Sequence, residues 1–309
     1  MRHSVLLAAL LAATANLFWA ANAIVGKAVV ATLPAFTLSQ FRWALAFMLL
    51  APFGLPKIYR QWYWYRQHLP RLSLLALLSV GFYNTLQYWA LEYTEPVKVG
   101  AMLALMPLSI AVVSGFLGGR KLSGLEWLTS IFAVSGALVV VSNGQWSLFL
   151  RPQQGWFGEL LMVCAVSSWA FYSVLLKRLP HEGIEPIGLL TFFIGLGSLL
   201  ILPFWLYDVS HEAIFVPPRE LWWSIAFVAV FPSILSFMCW NKAVRLADAT
   251  IAGLMVTTAP LFNAILAMTF LDAQVSLAQW SGIGIVIIGV ASTLLLSRRK
   301  ATPPAAETT

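Results

Sequence analysis

The chain has 309 residues, of which 60% are hydrophobic and 10% are charged, and its formal net charge is +7. This composition excludes a water-soluble fold, because folded domains leave much of their surface wet and cannot bury so much apolar surface. We therefore predict a protein embedded in the lipid bilayer. The basic residues are scattered between apolar runs and do not form the basic face that nucleic-acid binding requires, so no nucleic-acid partner is predicted.

Ten runs of mostly apolar residues follow one another along the chain, each of about the length that a membrane-spanning helix needs. They cover residues 5–26, 36–54, 72–91, 97–117, 124–142, 156–176, 186–206, 221–240, 249–271 and 277–296. The first run also has the outline of a cleavable signal peptide, an alternative that would remove one copy of the repeat described below. The polar segment 298–309 is predicted to be a disordered cytoplasmic tail.

The Lys and Arg residues predict the orientation in the membrane. Fourteen of the 19 fall in segments on the same side as the N-terminus, and four fall on the opposite side. Because the cytoplasmic side retains the excess of basic residues, both termini are expected to be cytoplasmic. The predicted location is the plasma (inner) membrane, with multiple passes.

The chain contains an internal repeat. The phrase "WAANAIVGK" (19–27) returns as "WAFYSVLLK" (169–177), and residues 105–140 align with residues 258–293. Ten spans then divide into two repeats of five, residues 1–146 and 147–297, and the odd number inserts the second repeat upside down. The predicted fold class is an all-α membrane protein of ten transmembrane helices in two inverted five-helix repeats. Such repeats are typical of secondary transporters, although a duplication retained only for packing stays open.

Two prolines occupy matching places in the repeats, Pro107 in the fourth span and Pro260 in the ninth. A proline within a helix removes one backbone hydrogen bond and kinks the helix. Kinks at matching positions of two halves are predicted to be hinges near a transport site, or to serve packing alone.

Polar and aromatic side chains recur on single faces of several spans. In the first span, Trp19 and Asn22 share a helical stripe, and Trp169 and Tyr172 stand at the same positions of the sixth span. In the third span Tyr83 and Gln87 are neighbours at i and i+4, and Asn84 flanks them on an adjoining face. In the eighth span Ser233, Ser236 and Trp240 share one stripe, and the ninth span adds Asn263. Aromatic walls with a few amides and hydroxyls suit a small organic solute, whereas the same amides can also join helices to one another.

Arg42 lies inside the second span, where a central Arg costs about 2.5–3.5 kcal/mol on insertion scales. As a substrate-binding residue it is predicted to meet a carboxylate or a phosphate. The alternative is a structural role, in which Arg42 pairs with Glu92 or Glu95 at the outer end of the third span, or caps backbone carbonyls.

The acidic residues all lie in connections or near span ends, and no His lies within a span. Since proton relays use such groups inside the membrane, proton coupling is disfavoured, and a uniporter or exchanger fits better. Cys164 and Cys239 lie in apolar runs without CxxC spacing, so neither a metal site nor a cofactor is predicted.

Taken together and in order, several motifs resemble the EamA family of the drug/metabolite transporter superfamily. They are "FWAANAIVGKAV", "QFRWALAFMLLAPF", "LQYWALEYTEPVKVGAMLALMPL", "SSWAFYSVLLKRL" and "CWNKAVRLADATIAGLMVTTAPL". The resemblance implies a ten-helix bundle with cytoplasmic termini and a central cavity, which moves amino acids, small metabolites or drugs, often outward. The family usually has a Glu thirteen residues after each of the two prolines, where this chain has Arg120 and Ala273.

The predicted function is therefore secondary transport, as an exporter or exchanger, of small organic solutes such as amino acids or metabolites by alternating access. One chain holds both halves, so a monomer suffices, and a homo-oligomer stays open. The alternatives are a non-transporting sensor or assembly protein and a membrane-embedded enzyme. An enzyme is not expected, because no intramembrane nucleophile–base set is evident.

Overall fold

The computed structural model describes residues 2–117, 123–145, 156–180, 183–212, 216–246 and 258–301, and this part of the chain is helical without a strand. The helices are α1 (Arg2–Val30), α2 (Ala35–Arg60), α3 (Trp62–Gln67), α4 (Leu69–Ala76), α5 (Asn84–Tyr93), α6 (Pro96–Leu103), α7 (Met106–Phe116), α8 (Gly124–Ser142), α9 (Trp156–Lys177), α10 (Pro186–Glu212), α11 (Trp222–Val228), α12 (Ser236–Leu246), α13 (Ala259–Phe270) and α14 (Leu277–Ala301). A 3₁₀ turn at Arg219–Leu221 precedes α11. Two π-helical segments interrupt the α-helices: the first π segment is Leu77–Tyr83, and the second π segment is Ala229–Leu235.

Six helical stretches in the described residues are long and apolar enough to cross a membrane. They are Leu6–Val30, Ala35–Arg60, Leu69–Tyr93, Trp156–Leu176, Pro186–His211 and Arg219–Trp240. The pair α6 and α7 makes a seventh if the 45° bend between them lies within one broken span. Shorter apolar helices at 127–142, 259–270 and 277–293 stand where the fifth, ninth and tenth spans are predicted. The described part of the molecule is thus all-helical and has the helices of a multi-pass membrane protein, and the count of ten spans stays a prediction.

Several predicted boundaries fall on residues that the structure does not describe. The division between the repeats at residues 146 and 147 lies outside the described residues, as do residues 249–257 of the ninth predicted span and residues 302–309 of the tail. Residues 298–301, predicted to belong to the disordered tail, instead continue α14. Their sequence, Arg-Arg-Lys-Ala, consists of good helix formers, and basic residues suit the negative end of a helix dipole.

Prolines mark the beginnings of several helices. Pro96 and Pro186 are the first residues of α6 and α10. At a helix start the missing N–H of proline costs nothing, because the first N–H groups of a helix have no intrahelical acceptor. Pro107 and Pro260 occupy the second positions of α7 and α13 for the same reason.

Helices from the two ends of the sequence pack in a regular pattern. α2 lies along α10, α8 along α14, and α6 along α13. In addition, α1 packs on α12, and α5 packs on α9. The largest apolar core is built on α1, α2, α4, α5, α9 and α10 together with both π segments, and it surrounds the site described below.

The contact between α8 and α14 depends on glycines that let the two backbones touch. A Cβ placed on Gly282 would lie 2.7 Å from the carbonyl oxygen of Gly136, and one on Gly289 would lie 2.7 Å from the backbone nitrogen of Ala133. Small residues of this kind allow close helix packing in membranes, where van der Waals contact drives association. Gly284, two residues after Gly282 on the same helix, has no heavy atom within 4 Å of such a Cβ.

We predict that Gly282→Leu lowers the thermal unfolding midpoint of the detergent-solubilised protein by about 5 °C, because backbone atoms cannot move aside for the new side chain. Gly284→Leu adds the same side chain to the same helix and should leave the midpoint close to that of the wild type. Fluorescence-detected size-exclusion chromatography after heating measures both variants. Equal midpoints would show that the close contact of α8 with α14 does not hold in the protein.

Candidate functional site

The two π segments arise from different local sequences. In the second π segment, Pro232 has no N–H to donate to the carbonyl of Val228, and the hydroxyl of Ser233 donates to that carbonyl instead at 2.7 Å. Ser236 donates to the carbonyl of Phe231 at 3.1 Å in the same way. Such π segments inside α-helices are frequent at functional sites.

The first π segment has no proline, and polar side chains serve its backbone. The hydroxyl of Ser79 donates to the carbonyl of Leu75 at 2.7 Å. The amide nitrogen of Asn84 donates to the carbonyl of Ser79 at 3.2 Å, which leaves the amide oxygen of Asn84 free to accept another hydrogen bond. The π segment at Pro232 therefore has a counterpart in the first matched half of the chain, the first π segment, although that segment contains no proline.

Arg42 lies between the two π segments and is 0% exposed. Its Nε donates to the hydroxyl of Ser233 at 2.6 Å, and its Nη1 donates to Asn84 Oδ1 at 3.0 Å and to the Tyr88 hydroxyl at 2.8 Å. We call Asn84, Tyr88 and Ser233 the Arg42 shell. All three members are neutral, and Nη2 of Arg42 has no hydrogen-bond partner among the described residues.

The alternative that pairs Arg42 with a carboxylate of the third span is wrong. Glu92 accepts a hydrogen bond from the backbone N–H of Ala35 at 3.0 Å, and Glu95 lies 3.5 Å from Lys27. Glu92 stands in the last turn of α5 and Glu95 just beyond its end, and neither is among the described hydrogen-bond acceptors of Arg42. Within the described part of the chain Arg42 does not cap backbone carbonyls either, because its hydrogen-bond acceptors there are side-chain oxygens.

The Arg42 shell extends to α1 through one further hydrogen bond. The Tyr88 hydroxyl donates a hydrogen bond to Asn22 Oδ1 at 2.5 Å, while its oxygen accepts the hydrogen bond from Arg42. The guanidinium carbon of Arg42 also lies 4.5 Å from the ring centroid of Trp43 and 5.4 Å from that of Tyr88. These distances are within the range of cation–π attraction.

Arg42, the Arg42 shell and Asn22 together form what we call the polar network. An aromatic cluster adjoins it. Its members are Trp19, Tyr83, Trp169, Tyr172, Phe237 and Trp240. Trp169 is at the centre, with ring centroids 4.7 Å from Tyr83, 5.0 Å from Tyr172 and 5.7 Å from Phe237. Trp19 lies 5.5 Å from Trp240 and donates its indole N–H to the carbonyl of Pro232 at 3.1 Å. Trp43 lies 6.3 Å from Phe237 and so joins the aromatic cluster to Arg42.

The structure brings together most of the residues selected from the sequence. Trp19, Tyr83, Trp169, Tyr172 and Trp240 belong to the aromatic cluster, and Asn22, Arg42 and Asn84 belong to the polar network. Ser236 lies beside them, where its hydroxyl is 3.3 Å from the carbonyl of Ala15 on α1. Gln87 is buried on α5 between the positions of Asn84 and Tyr88.

Asn263 lies in a different contact. Its amide nitrogen donates to the carbonyl of Ala259 at 2.9 Å, and its side chain packs where Gly100 of α6 has no Cβ. Asn263 therefore joins α13 to α6, and its described contacts do not include the aromatic cluster.

The two predicted hinges differ from simple kinks. The fourth predicted span is broken between α6 and α7 with a 45° bend, and Pro107 follows the break as the second residue of α7. Pro260 likewise stands at the second position of α13, and the residues before Thr258 lie outside the described part. Because proline disfavours the α conformation of the preceding residue, it is expected near a break rather than in mid-helix.

Sequence reasoning missed three members of the site, Trp43, Tyr88 and Phe237. Tyr88 stands four residues after Asn84, so helical spacing from Asn84 would have found it. Trp43 and Phe237 directly follow Arg42 and Ser236, but nothing in their spacing distinguishes them from the many other aromatic residues in the apolar runs.

Ion pairs and hydrogen bonds close one end of the bundle, which we call the Lys27 end. Lys27 donates to the carbonyls of Leu91 and Thr94 at 2.9 Å each. Glu159 at the start of α9 accepts from the Thr94 hydroxyl at 2.7 Å and lies 3.4 Å from Lys98. These contacts tie α1, α5, α6 and α9 together.

The opposite end, which we call the Lys57 end, is held by more exposed contacts. Lys57 lies 2.8 Å from Glu185, and Gln61 donates to the carbonyl of Gly183 at 2.8 Å. A cavity of about 270 Å³ lies at this end between α4 and α9. Its lining consists of Arg71, Leu74, Leu75, Leu175, Arg178 and Leu179.

The residues of the site do not suggest metal chemistry. Among the described residues there is no group of three or more His, Cys, Asp or Glu that could hold a metal ion. The arrangement offers one cation, several neutral hydrogen-bonding groups and a wall of aromatic rings, which together can bind a solute with a polar end and an apolar body.

The sequence matches the model of the EamA-like transporter family twice, over residues 6–142 and 156–295. The chain is similar to the uncharacterized transporter YetK of Bacillus subtilis, with 26% identity over 293 residues, covering 93% of this chain and 86% of the relative. It is also similar to an uncharacterized transporter of Archaeoglobus fulgidus, with 27% identity over 91% of this chain and 95% of the relative. The aromatic amino acid exporter YddG of Ancylobacter novellus is 23% identical, with 70% of this chain and 73% of the exporter covered.

One solved crystal structure has the same fold, with a TM-score of 0.69 at 22% identity. The match covers 96% of this chain and 99% of the other chain. The helical architecture described above is thus shared along nearly the full length of both chains.

We predict that Glu185→Gln destabilises the protein slightly near neutral pH and has no effect in strong acid. The hydrogen bond from Lys57, the charge of Lys57 and, to a lesser extent, Arg60 hold the pKa of Glu185 below its usual 4.5. The stabilisation is therefore present above the usual pKa of Glu and is lost as the pH falls through the lowered pKa. Because the pair is exposed, the effect should also shrink in high salt.

The measurement is the difference in thermal midpoint between the wild type and Glu185→Gln at about pH 7 and about pH 3, in low and high salt. A difference that stays constant over this range would contradict the ion pair as its source.

Proposed function

Because the chain belongs to the EamA-like transporter family, we propose that it is a secondary transporter that moves a small organic solute across the membrane by alternating access. The solute would bind at the Arg42 shell and the aromatic cluster. The single observation that supports this assignment best is that both matched segments contribute to one buried site: Arg42 and Asn84 come from the first, and Ser233 and Trp169 come from the second.

Helix packing supports an inverted repeat of five plus five spans. α2 and α10 hold the second place in their halves, α6 and α13 the fourth, and α8 and α14 the fifth, and each pair is in contact. The contact of α1 with α12 joins places one and three, and so does the contact of α9 with α5. Both π segments then fall in the third place of their halves. A pseudo-two-fold axis between the halves accounts for all these contacts. In inverted-repeat transporters the same symmetry lets one half adopt the conformation of the other when access changes sides.

Alternating access would open the site to each end of the bundle in turn. The Lys27 end is tied by buried and half-buried contacts, whereas the Lys57 end has exposed contacts and a cavity between the halves. By the distribution of Lys and Arg, the Lys57 end would face the cytoplasm, and both termini with it, in the plasma membrane. A solute would enter there and leave when the Lys27 end opens, which is the direction of an exporter or of one half-cycle of an exchanger.

We predict saturable counterflow exchange of an organic solute in proteoliposomes that contain the purified protein. The panel would include amino acids, related organic acids and their amides, with and without a pH gradient. Because no acidic residue adjoins the site among the described residues, exchange should proceed equally without the gradient. Accumulation that depends on the gradient would contradict the uniport or exchange mechanism.

We also predict that Trp169→Ala lowers the exchange rate by more than about tenfold, because this ring forms the centre of the aromatic cluster. Trp223→Ala is the matched control, since Trp223 is 86% exposed on α11 and should be dispensable. Size-exclusion profiles and thermal midpoints separate lost binding from lost folding, and Trp169→Phe, which keeps an aromatic ring, should retain part of the rate. Normal exchange by folded Trp169→Ala would remove the aromatic cluster from the transport path.

A further inference from the structure

The charge balance of the Arg42 shell narrows the class of solute. From the buried guanidinium and its three neutral partners we infer that the transported solute is an organic monoanion, with a single carboxylate that binds Nη2 of Arg42 and an apolar, ring-bearing body that lies against the aromatic cluster. This inference rests on the proposed function and goes further by naming the chemistry of the solute.

The first argument is the unused hydrogen-bonding capacity of Arg42. A guanidinium has five N–H groups, one on Nε and two on each terminal nitrogen. The Nε group and both Nη1 groups are occupied by Ser233, Asn84 and Tyr88. Both N–H groups of Nη2 remain, on an atom that is buried and has no partner among the described residues. A carboxylate oxygen is the acceptor that makes the strongest hydrogen bonds to such a group.

The second argument is the net charge. Arg42 keeps its proton under all ordinary conditions, and the partners of its described hydrogen bonds are neutral. The site therefore carries one uncompensated positive charge in a water-poor interior, where a lone charge is strongly disfavoured. One carboxylate would neutralise it, whereas a doubly charged phosphate would leave a negative excess. A zwitterion would restore the positive excess through its ammonium group.

The third argument concerns the body of the solute. The Trp43 ring faces the guanidinium at 4.5 Å, and rings continue from there through Phe237 to Trp169. An apolar group attached to a carboxylate at Arg42 would therefore lie close to these rings. Flat rings are favoured, because aromatic pairs gain energy beyond the burial of their area.

The test uses four probes that share a phenyl ring and differ in charge. They are 3-phenylpropionate, 3-phenylpropionamide, phenylalanine and phenyl phosphate. Binding to the purified protein in lipid nanodiscs is measured by calorimetry, and counterflow in proteoliposomes is measured with the same compounds. We expect 3-phenylpropionate to bind at least about tenfold more tightly than each of the other three.

Two variants connect this preference to Arg42. Arg42→Gln should weaken binding of the acid to the level of the amide and leave binding of the amide unchanged. Arg219→Gln, at the exposed first residue of the 3₁₀ turn, should alter binding of neither compound. Asn84→Asp places a carboxylate of the same size beside Arg42 and supplies the missing counter-charge from within. The variant also loses the hydrogen bond from the Asn84 amide nitrogen to the carbonyl of Ser79, so no rise of the thermal midpoint is expected. It should weaken acid binding about tenfold or more and leave amide binding unchanged, a combination that a merely misfolded protein cannot produce.

Equal binding of acid and amide, no binding of the acid, or an acid preference that survives Arg42→Gln would each overturn the inference. If one of these results were found but another solute were exchanged by the wild type and not by Trp169→Ala, the proposed function would still stand. Absence of exchange for every compound, with intact binding of the acid, would instead refute transport and leave the charge selectivity standing.

Discussion

The structure is organised around one buried guanidinium. A charge in a membrane interior is tolerated only where protein groups replace the water that it has lost, and isolated ions in such a place are costly. Arg42 obtains three acceptors from two separate parts of the chain: Asn84 and Tyr88 on α5, and Ser233 in the second π segment. These acceptors fix α2 against α5 and the second π segment. Removing one of them would leave a buried donor unsatisfied, at a cost of about 1–3 kcal/mol or more for a charged group.

The π segments are what bring those acceptors to Arg42. A π turn widens the helix locally and shifts the register of the following side chains, so a residue just after the segment points in a direction that an unbroken α-helix would not give it. Asn84 follows the first π segment directly, and Ser233 lies within the second. Two unrelated local causes, a proline in one half and a serine–asparagine pair in the other, thus produce the same departure from α geometry. The two π segments thus place acceptors beside Arg42 from both sides, although different residues cause them.

The sequence was sufficient to predict helices, the membrane class and most residues of the aromatic cluster, because these depend on composition and on the helical repeat of 3.6 residues. Trp19 and Trp169 were found by comparing the two halves of the chain. The partners of Arg42 were not predictable in this way. Glu92 was chosen for its charge, yet the actual partners are neutral and come from distant segments.

Position along a span was also insufficient to place two of the selected residues. The sequence points to Asn263 as an amide within the ninth predicted span, but this position does not give the direction of the side chain, which contacts Gly100. Pro107 was expected to kink a helix, whereas the chain breaks before it and begins a new helix. In each case the deciding information was a tertiary contact, which single-sequence patterns do not contain.

One helix connects the charged site with the closed end of the bundle. Asn84, Tyr88 and Leu91 follow one another on α5 at spacings of four and three residues, and so they share a face. The first two contact Arg42, and the carbonyl of the third accepts a hydrogen bond from Lys27. A helix is stiff along its axis, so a movement of α5 that opened the Lys27 end would also change the distances from Asn84 and Tyr88 to Arg42. The Arg42 shell and the Lys27 end are therefore mechanically linked through α5.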